Sequence, residues 1–157
     1  MTTFQSVSAA LALTTLAVSA CGTSPPTVAL TMHVERDGAR VRLEGTTDLA
    51  DGAILAYELR HEQVDHDPET PRDMLFREGR MTVSNGRYAA EIDISSFEPG
   101  EIEVWVAFQM DFINSDLTQP GGILRQFGER GELLEGANVT DLGENGKRVE
   151  LTDAIHW

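Results

Sequence analysis

An all-β, antiparallel sandwich is the fold class this chain predicts. Three observations carry it. Apolar and polar residues alternate with a period of two over six or seven successive short stretches, which marks strands with one buried face. Gly, Asp, Asn and Pro cluster between those stretches at regular spacing, as turn formers do. Helical spacing is confined to one short segment near the C-terminus, so the sheets must pack on each other.

Residues 27–35 alternate cleanly, with Val28, Leu30, Met32 and Val34 on one side. Arg36-Asp37-Gly38 follows as a turn, because Asp and Gly tolerate the left-handed backbone of a tight hairpin. Residues 39–45 alternate again, placing Val41 and Leu43 inward and Arg40, Arg42 and Glu44 outward. Leu49 is then an apolar plug among the turn formers of residues 45–52. Residues 53–62 predict a central strand: Leu55, Tyr57 and Leu59 share one face, and Ile54 and Ala56 make the other partly apolar.

Residues 63–73 form a polar loop with Pro68 and Pro71. Residues 74–76 and 80–84 are two short strand candidates, and Asn85-Gly86 is a hairpin signal, since both positions of such a turn need positive φ. Residues 87–94 point Tyr88, Ala90, Ile92 and Ile94 inward. After the turn Phe97-Glu98-Pro99-Gly100, residues 101–110 put Ile102, Val104, Val106, Phe108 and Met110 inside and Trp105 outside. Residues 119–127 read as the short helix, with Pro120 at its start and Gly128 as its C-cap. Residues 128–145 are rich in Gly and Glu and predict an ordered wrap over the sheets, ahead of a last strand at 147–152.

The segments Gly45-Thr46-Thr47-Asp48-Leu49-Ala50-Asp51-Gly52-Ala53 and Asn85-Gly86-Arg87-Tyr88 through Phe97-Glu98-Pro99-Gly100 to Phe108 resemble sandwich modules of exported bacterial proteins. Those modules are immunoglobulin-like or fibronectin-type-III-like. The resemblance implies an immunoglobulin-like antiparallel β-sandwich over residues 27–157, with one short helix near the C-terminus. It implies no reaction, because fold alone confers none.

The N-terminus carries a different signal. Residues 1–20 hold no charged side chain, and residues 9–20 are an apolar and small-residue run. That run is too short to span a bilayer and has the length of a signal-peptide core. Ser19 and Ala20 are small residues at a cleavage position, directly before Cys21, the single cysteine of the chain. Val18-Ser19-Ala20-Cys21 resembles the lipobox of bacterial lipoproteins. The resemblance implies a signal peptide over 1–20, a diacylglycerol on the Cys21 thiol, and a tether over 21–26. A membrane partner through that lipid follows, with an exported protein held at the cell membrane or outer membrane.

All charge lies beyond residue 20: 26 acidic against 12 basic side chains, net −14. That balance excludes nucleic acid as a partner, since its phosphates would be repelled. It also disfavours docking on anionic lipid heads, so attachment rests on the acyl chains. With one cysteine, no disulfide forms within the chain, and the core alone must hold the fold.

Two features are candidates for function. His61, Asp65, His66, Asp67 and Glu69 form the densest cluster of metal-ligand types. Imidazole suits zinc or copper, and carboxylates suit calcium. The same run reads better as a solvated acidic loop, because it lacks the turn glycine of a calcium loop and any zinc-finger spacing. Trp105, on an outer strand face, either stacks on a sugar or partner or lies under the wrap, beneath Phe127 or Trp157. No nucleophile elbow, phosphate-cradling loop or cofactor motif is present. The expectation is a non-catalytic interaction or accessory module at the envelope, with an envelope protein as partner and no cofactor. The alternative is a small-ligand or metal-binding lipoprotein using the loop 61–69.

Overall fold

The computed structural model describes residues 26–112 and 116–157. Two antiparallel sheets pack face to face. One contains β1 (His33–Asp37), β2 (Arg40–Thr46) and β5 (Arg87–Asp93), in the order β1-β2-β5. The other contains β3 (Ile54–His61), β4 (Phe76–Thr82), β6 (Glu101–Phe108), β7 (Val139–Asp141) and β8 (Lys147–His156), in the order β4-β3-β6-β8-β7. This is the immunoglobulin-like sandwich in which the fourth strand pairs with the third rather than the fifth.

The alternating residues meet between the sheets. Val41, Leu43, Leu55, Leu59, Ile102, Val104, Val106 and Phe108 are all fully buried. Leu49 plugs one end of the core, and Tyr88, Ile92, Ile94 and Met110 are buried as their alternation requires. Tyr57 is only half-buried, since its ring lies toward edge strand β4, where a Cβ on its partner Gly79 would sit 2.3 Å from the Tyr57 hydroxyl. Gly45 has a similar duty. A Cβ there would fall 1.9 Å from the Thr31 carbonyl oxygen, which accepts a hydrogen bond from the Tyr88 hydroxyl. Burial pushes that phenol up to about 12.

The helix α1 spans Gly121–Phe127. Its first turn hangs from Pro120, whose carbonyl accepts from Ile123 at 2.8 Å, and Gly128 ends it at φ 90° with its N–H on Leu124 O. Gln119 lies outside the helix. Phe127 enters the core and meets Phe108 edge-to-face, with ring centroids 5.3 Å apart. Leu134, further along the wrap, is fully buried as well.

Several elements differ from the sequence expectation, each for a physical reason. Residues 27–32 keep their alternating burial but pair in fragments: Thr27 bridges Glu135 and Leu30 bridges Thr47, before β1 starts at His33. Side-chain alternation needs one buried face and does not need one continuous partner. The β1–β2 turn is centred one residue later than expected, with Asp37 paired to Arg40 and Gly38 at φ 56°. The two candidates at 74–76 and 80–84 are one strand, β4, because pairing with β3 runs unbroken from Phe76 to Thr82; Met74 belongs to a single 3-10 turn.

Asn85 and Gly86 do take the expected positive φ, 52° and 69°. The hairpin nevertheless stops after the Ser84–Arg87 bridge, because β4 and β5 belong to different sheets. The wrap contains a strand, β7, paired with the start of β8. The last strand continues past Thr152 to His156, since β6 offers it a ladder as far as Glu101.

Candidate binding face

The outward side of the five-stranded sheet gathers the polar half of each alternating strand. Pairing sets Glu58 opposite Trp105 on β6 and opposite Glu78 on β4. Ala56 lies opposite Arg80 and Ala107, and Ala107 opposite Glu150. The small side chain at 56 leaves a hollow between taller neighbours. The result is a groove of ≈ 550 Å³ whose lining includes Glu58, Glu78, Arg80, Trp105, Phe112 and Arg148.

Trp105 is half-buried, and β8 supplies its surroundings. Its indole N–H donates to Glu150 Oε2 at 2.6 Å, and the Arg148 guanidinium carbon stands 5.0 Å from the ring centroid. Such a cation over the electron-rich face of an indole is attracted by the ring quadrupole. Arg148 Nε is 2.7 Å from Glu150 Oε2, an ion pair whose buried N–H is not aligned as a hydrogen bond. The Thr140 hydroxyl on β7 donates to Glu150 Oε1 at 2.5 Å. The expected cover by Phe127 or Trp157 is corrected here. Phe127 is in the core, and Trp157 donates its indole N–H to Phe97 O and carries Arg36 over its ring.

Two carboxyls on this face are shifted in opposite directions. Partial burial raises the Glu58 carboxyl, and Glu78 adds to it, against the opposing charges of Arg60, Arg148 and Arg72. At Glu150 burial works the same way, but hydrogen bonds from Thr140 and Trp105 and the charge of Arg148 outweigh it and hold the carboxyl low. A carboxyl held below its ordinary 4.5 contributes fully above that pH, and the contribution is lost as pH falls through the folded value. Glu150→Gln is therefore expected to flatten the acid limb of the stability curve while lowering stability near neutrality. Parallel acid limbs for variant and wild type, measured by denaturant titration at stepped pH, would contradict this.

Like charges directly opposite in a sheet are destabilising, and at the Glu58–Glu78 pair the Arg60 guanidinium, 3.8 Å from Glu58 Oε2, offsets part of that cost. Phe112 completes the groove wall beyond β6, with the Arg80 guanidinium 5.2 Å from its ring centroid.

The cluster at 61–69 is arranged differently. His61 ends β3 and is buried, 2% exposed. Its Nδ1 accepts from the Gln63 N–H at 3.1 Å, which leaves the proton on Nε2, 3.4 Å from Pro99 O. A Cβ on Gly100 would lie 2.4 Å from that nitrogen. Asp65 pairs with Arg60 at 2.9 Å. Asp67 accepts from the Thr70 hydroxyl and from the N–H groups of Thr70 and Glu69, and these bonds lower its carboxyl. His66 and Glu69 are exposed. His61, Asp65 and Asp67 thus turn to separate partners rather than to one point. Among the described residues, no group of three or more His, Cys, Asp or Glu is placed to hold a metal ion. Cys21 lies outside the described residues.

Of the sequence candidates, Trp105 alone sits in the groove. Glu58, Glu78, Arg80, Phe112, Arg148 and Glu150 belong to no motif in the sequence. Alternation puts most of them outward, but only the strand order makes them neighbours.

No protein-family model and no curated protein matches this chain. Among solved structures, wild-type OgpA from Akkermansia muciniphila aligns with a TM-score of 0.43 at 12% identity. The alignment covers 85% of this chain and 29% of OgpA, so the chain spans less than a third of that protein's length.

Proposed function

We propose that this protein is a non-catalytic binding module, exported and held at the bacterial cell envelope by a lipid on Cys21, that presents the groove around Trp105. The observation that carries the binding role is that groove. An open sheet face gathers an aromatic ring, two arginines and an opposed pair of glutamates around a hollow of ligand size. The reading of the anchor is supported by Val18-Ser19-Ala20-Cys21 and by the uncharged run before it. The acidic balance of the chain makes a lipid the physically sensible means of attachment.

The test has two parts. Cys21→Ser is expected to move the full-length protein from the membrane fraction to the soluble fraction and to abolish acylation, read by mass spectrometry. A photo-crosslinking amino acid at Arg80 is expected to give defined envelope adducts in cells, whereas one at Arg42, on the outer face of the other sheet, gives none. A Cys21→Ser protein that stays acylated sinks the anchor, and equal labelling from both positions sinks the binding face.

A further inference from the structure

We infer that the groove on the outer face of the five-stranded sheet takes an uncharged oligosaccharide, resting on the reading of that face as the binding surface. Charge is the first reason. The titratable side chains that flank the hollow are Glu58, Glu78, Arg80 and Arg148, which sum to zero in a chain whose net charge is −14. An anion would approach through the negative field of the whole protein. A cation would find Glu58 and Glu78 matched by Arg80 and Arg148, with no excess of carboxylate among the lining residues to hold it. An uncharged ligand suffers neither.

The floor is the second reason. β3 and β6 are hydrogen-bonded to neighbours on both edges, so their backbone groups are already paired. An extended peptide binds a sheet by adding a strand at a free edge, and the centre of this face offers it no ladder. What the groove does offer is side chains. Glu58 and Glu78 present acceptors and the two guanidinium groups present donors, the two roles that sugar hydroxyls can answer. Trp105, half-buried, borders the same hollow. Its apolar surface complements the C–H faces of a pyranose, which carry little polarity of their own.

The third reason is the cross-strand pair of Glu58 and Glu78. Opposed carboxylates repel, and bridging hydroxyl donors from a ligand relieve that repulsion without bringing a counter-charge.

The test is isothermal titration calorimetry of the full-length protein in detergent. The probes are hexasaccharides of β-1,4-glucose, β-1,4-N-acetylglucosamine, α-1,4-glucose and β-1,4-xylose, beside oligogalacturonate as an acidic glycan and a polyalanine-based peptide. Saturable binding of at least one uncharged hexasaccharide is expected. Trp105→Ala should weaken it about tenfold or more. Glu78→Gln, at an exposed position that the fold does not need, should weaken it by a smaller factor while leaving the far-ultraviolet dichroism unchanged. Absence of saturation by every uncharged probe up to about 10 mM overturns the inference, as does binding that neither variant alters. Binding of oligogalacturonate or of the peptide alone, lost in Trp105→Ala, overturns the ligand class and leaves the binding face standing. Failure of every probe together with absence of adducts from Arg80 removes both.

Discussion

Gln119→Leu is expected to lower the free energy of unfolding by about 3 kcal/mol, the loss that leaves several buried polar groups unpaired. Gln119 is 2% exposed, an uncommon place for an amide. Its Nε2 donates to Ile54 O and to Gln109 O, each at 2.7 Å, and its Oε1 accepts from the Ile54 N–H at 2.9 Å. The location explains the arrangement. The β3–β6 ladder ends at Leu55 and Phe108, so Ile54 and Gln109 are the next residues on each side, where the two strands part. The Gln119 amide fills the gap and acts as a short piece of strand between them. Leucine keeps the volume and the burial but strands all three backbone groups.

Gln119→Glu should be at least as damaging, because a carboxylate would face two carbonyl oxygens with no proton to give. Denaturant unfolding with an unchanged slope and a lower midpoint is the expected signature. A loss under about 1 kcal/mol would mean that water replaces the amide without cost. Against a total stability of about 5–15 kcal/mol for an ordinary domain, the expected loss is a large share.

Phe127→Ala is expected to cost about 3–5 kcal/mol, the usual range for deleting a buried aromatic ring. Phe127 is 1% exposed and meets Phe108, 0% exposed, at an interplanar angle of 74°. Removal opens a cavity bounded by β6 and α1, two elements held by their own hydrogen bonds, so collapse can fill little of it. The substitution therefore asks whether the C-terminal wrap is part of the core or a strap laid over it. Leu133→Ala is the matched control. Leu133 lies in the wrap that follows Phe127 but is 50% exposed, and its removal should change stability by about 0.5 kcal/mol or less. Near-equal losses for the two variants, measured by chemical denaturation, would show that the wrap is dispensable. Because Phe108 and Phe127 share one contact, losses for Phe108→Ala and Phe127→Ala should fall short of additive in the double variant.

The outward face was legible in one respect and hidden in another. Strict alternation from Ile102 to Phe108 forces Trp105 out of the core, and it lies there. Nothing local specifies that Arg148 and Glu150 hold the indole, for these residues are far from Trp105 in the chain and are joined to it by the β6–β8 register. The histidine cluster shows the converse. His61 and His66 are neighbours as a sequence, but one ends a buried strand and the other lies in an exposed loop, so proximity along the chain did not become proximity of ring nitrogens.

What the amino-acid order determined by itself was the kind of structure: strands rather than helices, which side chains of each strand are buried, and where Gly38, Asn85-Gly86 and Gly128 turn the chain. These depend on steric limits within a few residues and on a two-residue period, both local. Tertiary structure alone decided that β4 leaves its hairpin for the other sheet, that residues 139–141 pair as a strand, that Gln119 closes the gap between β3 and β6, and that Trp105 shares a groove with four charged groups. Each of these depends on which backbone groups remain unpaired once the sheets have packed. That is a property of the assembled layers, carried by hydrogen bonds between distant residues.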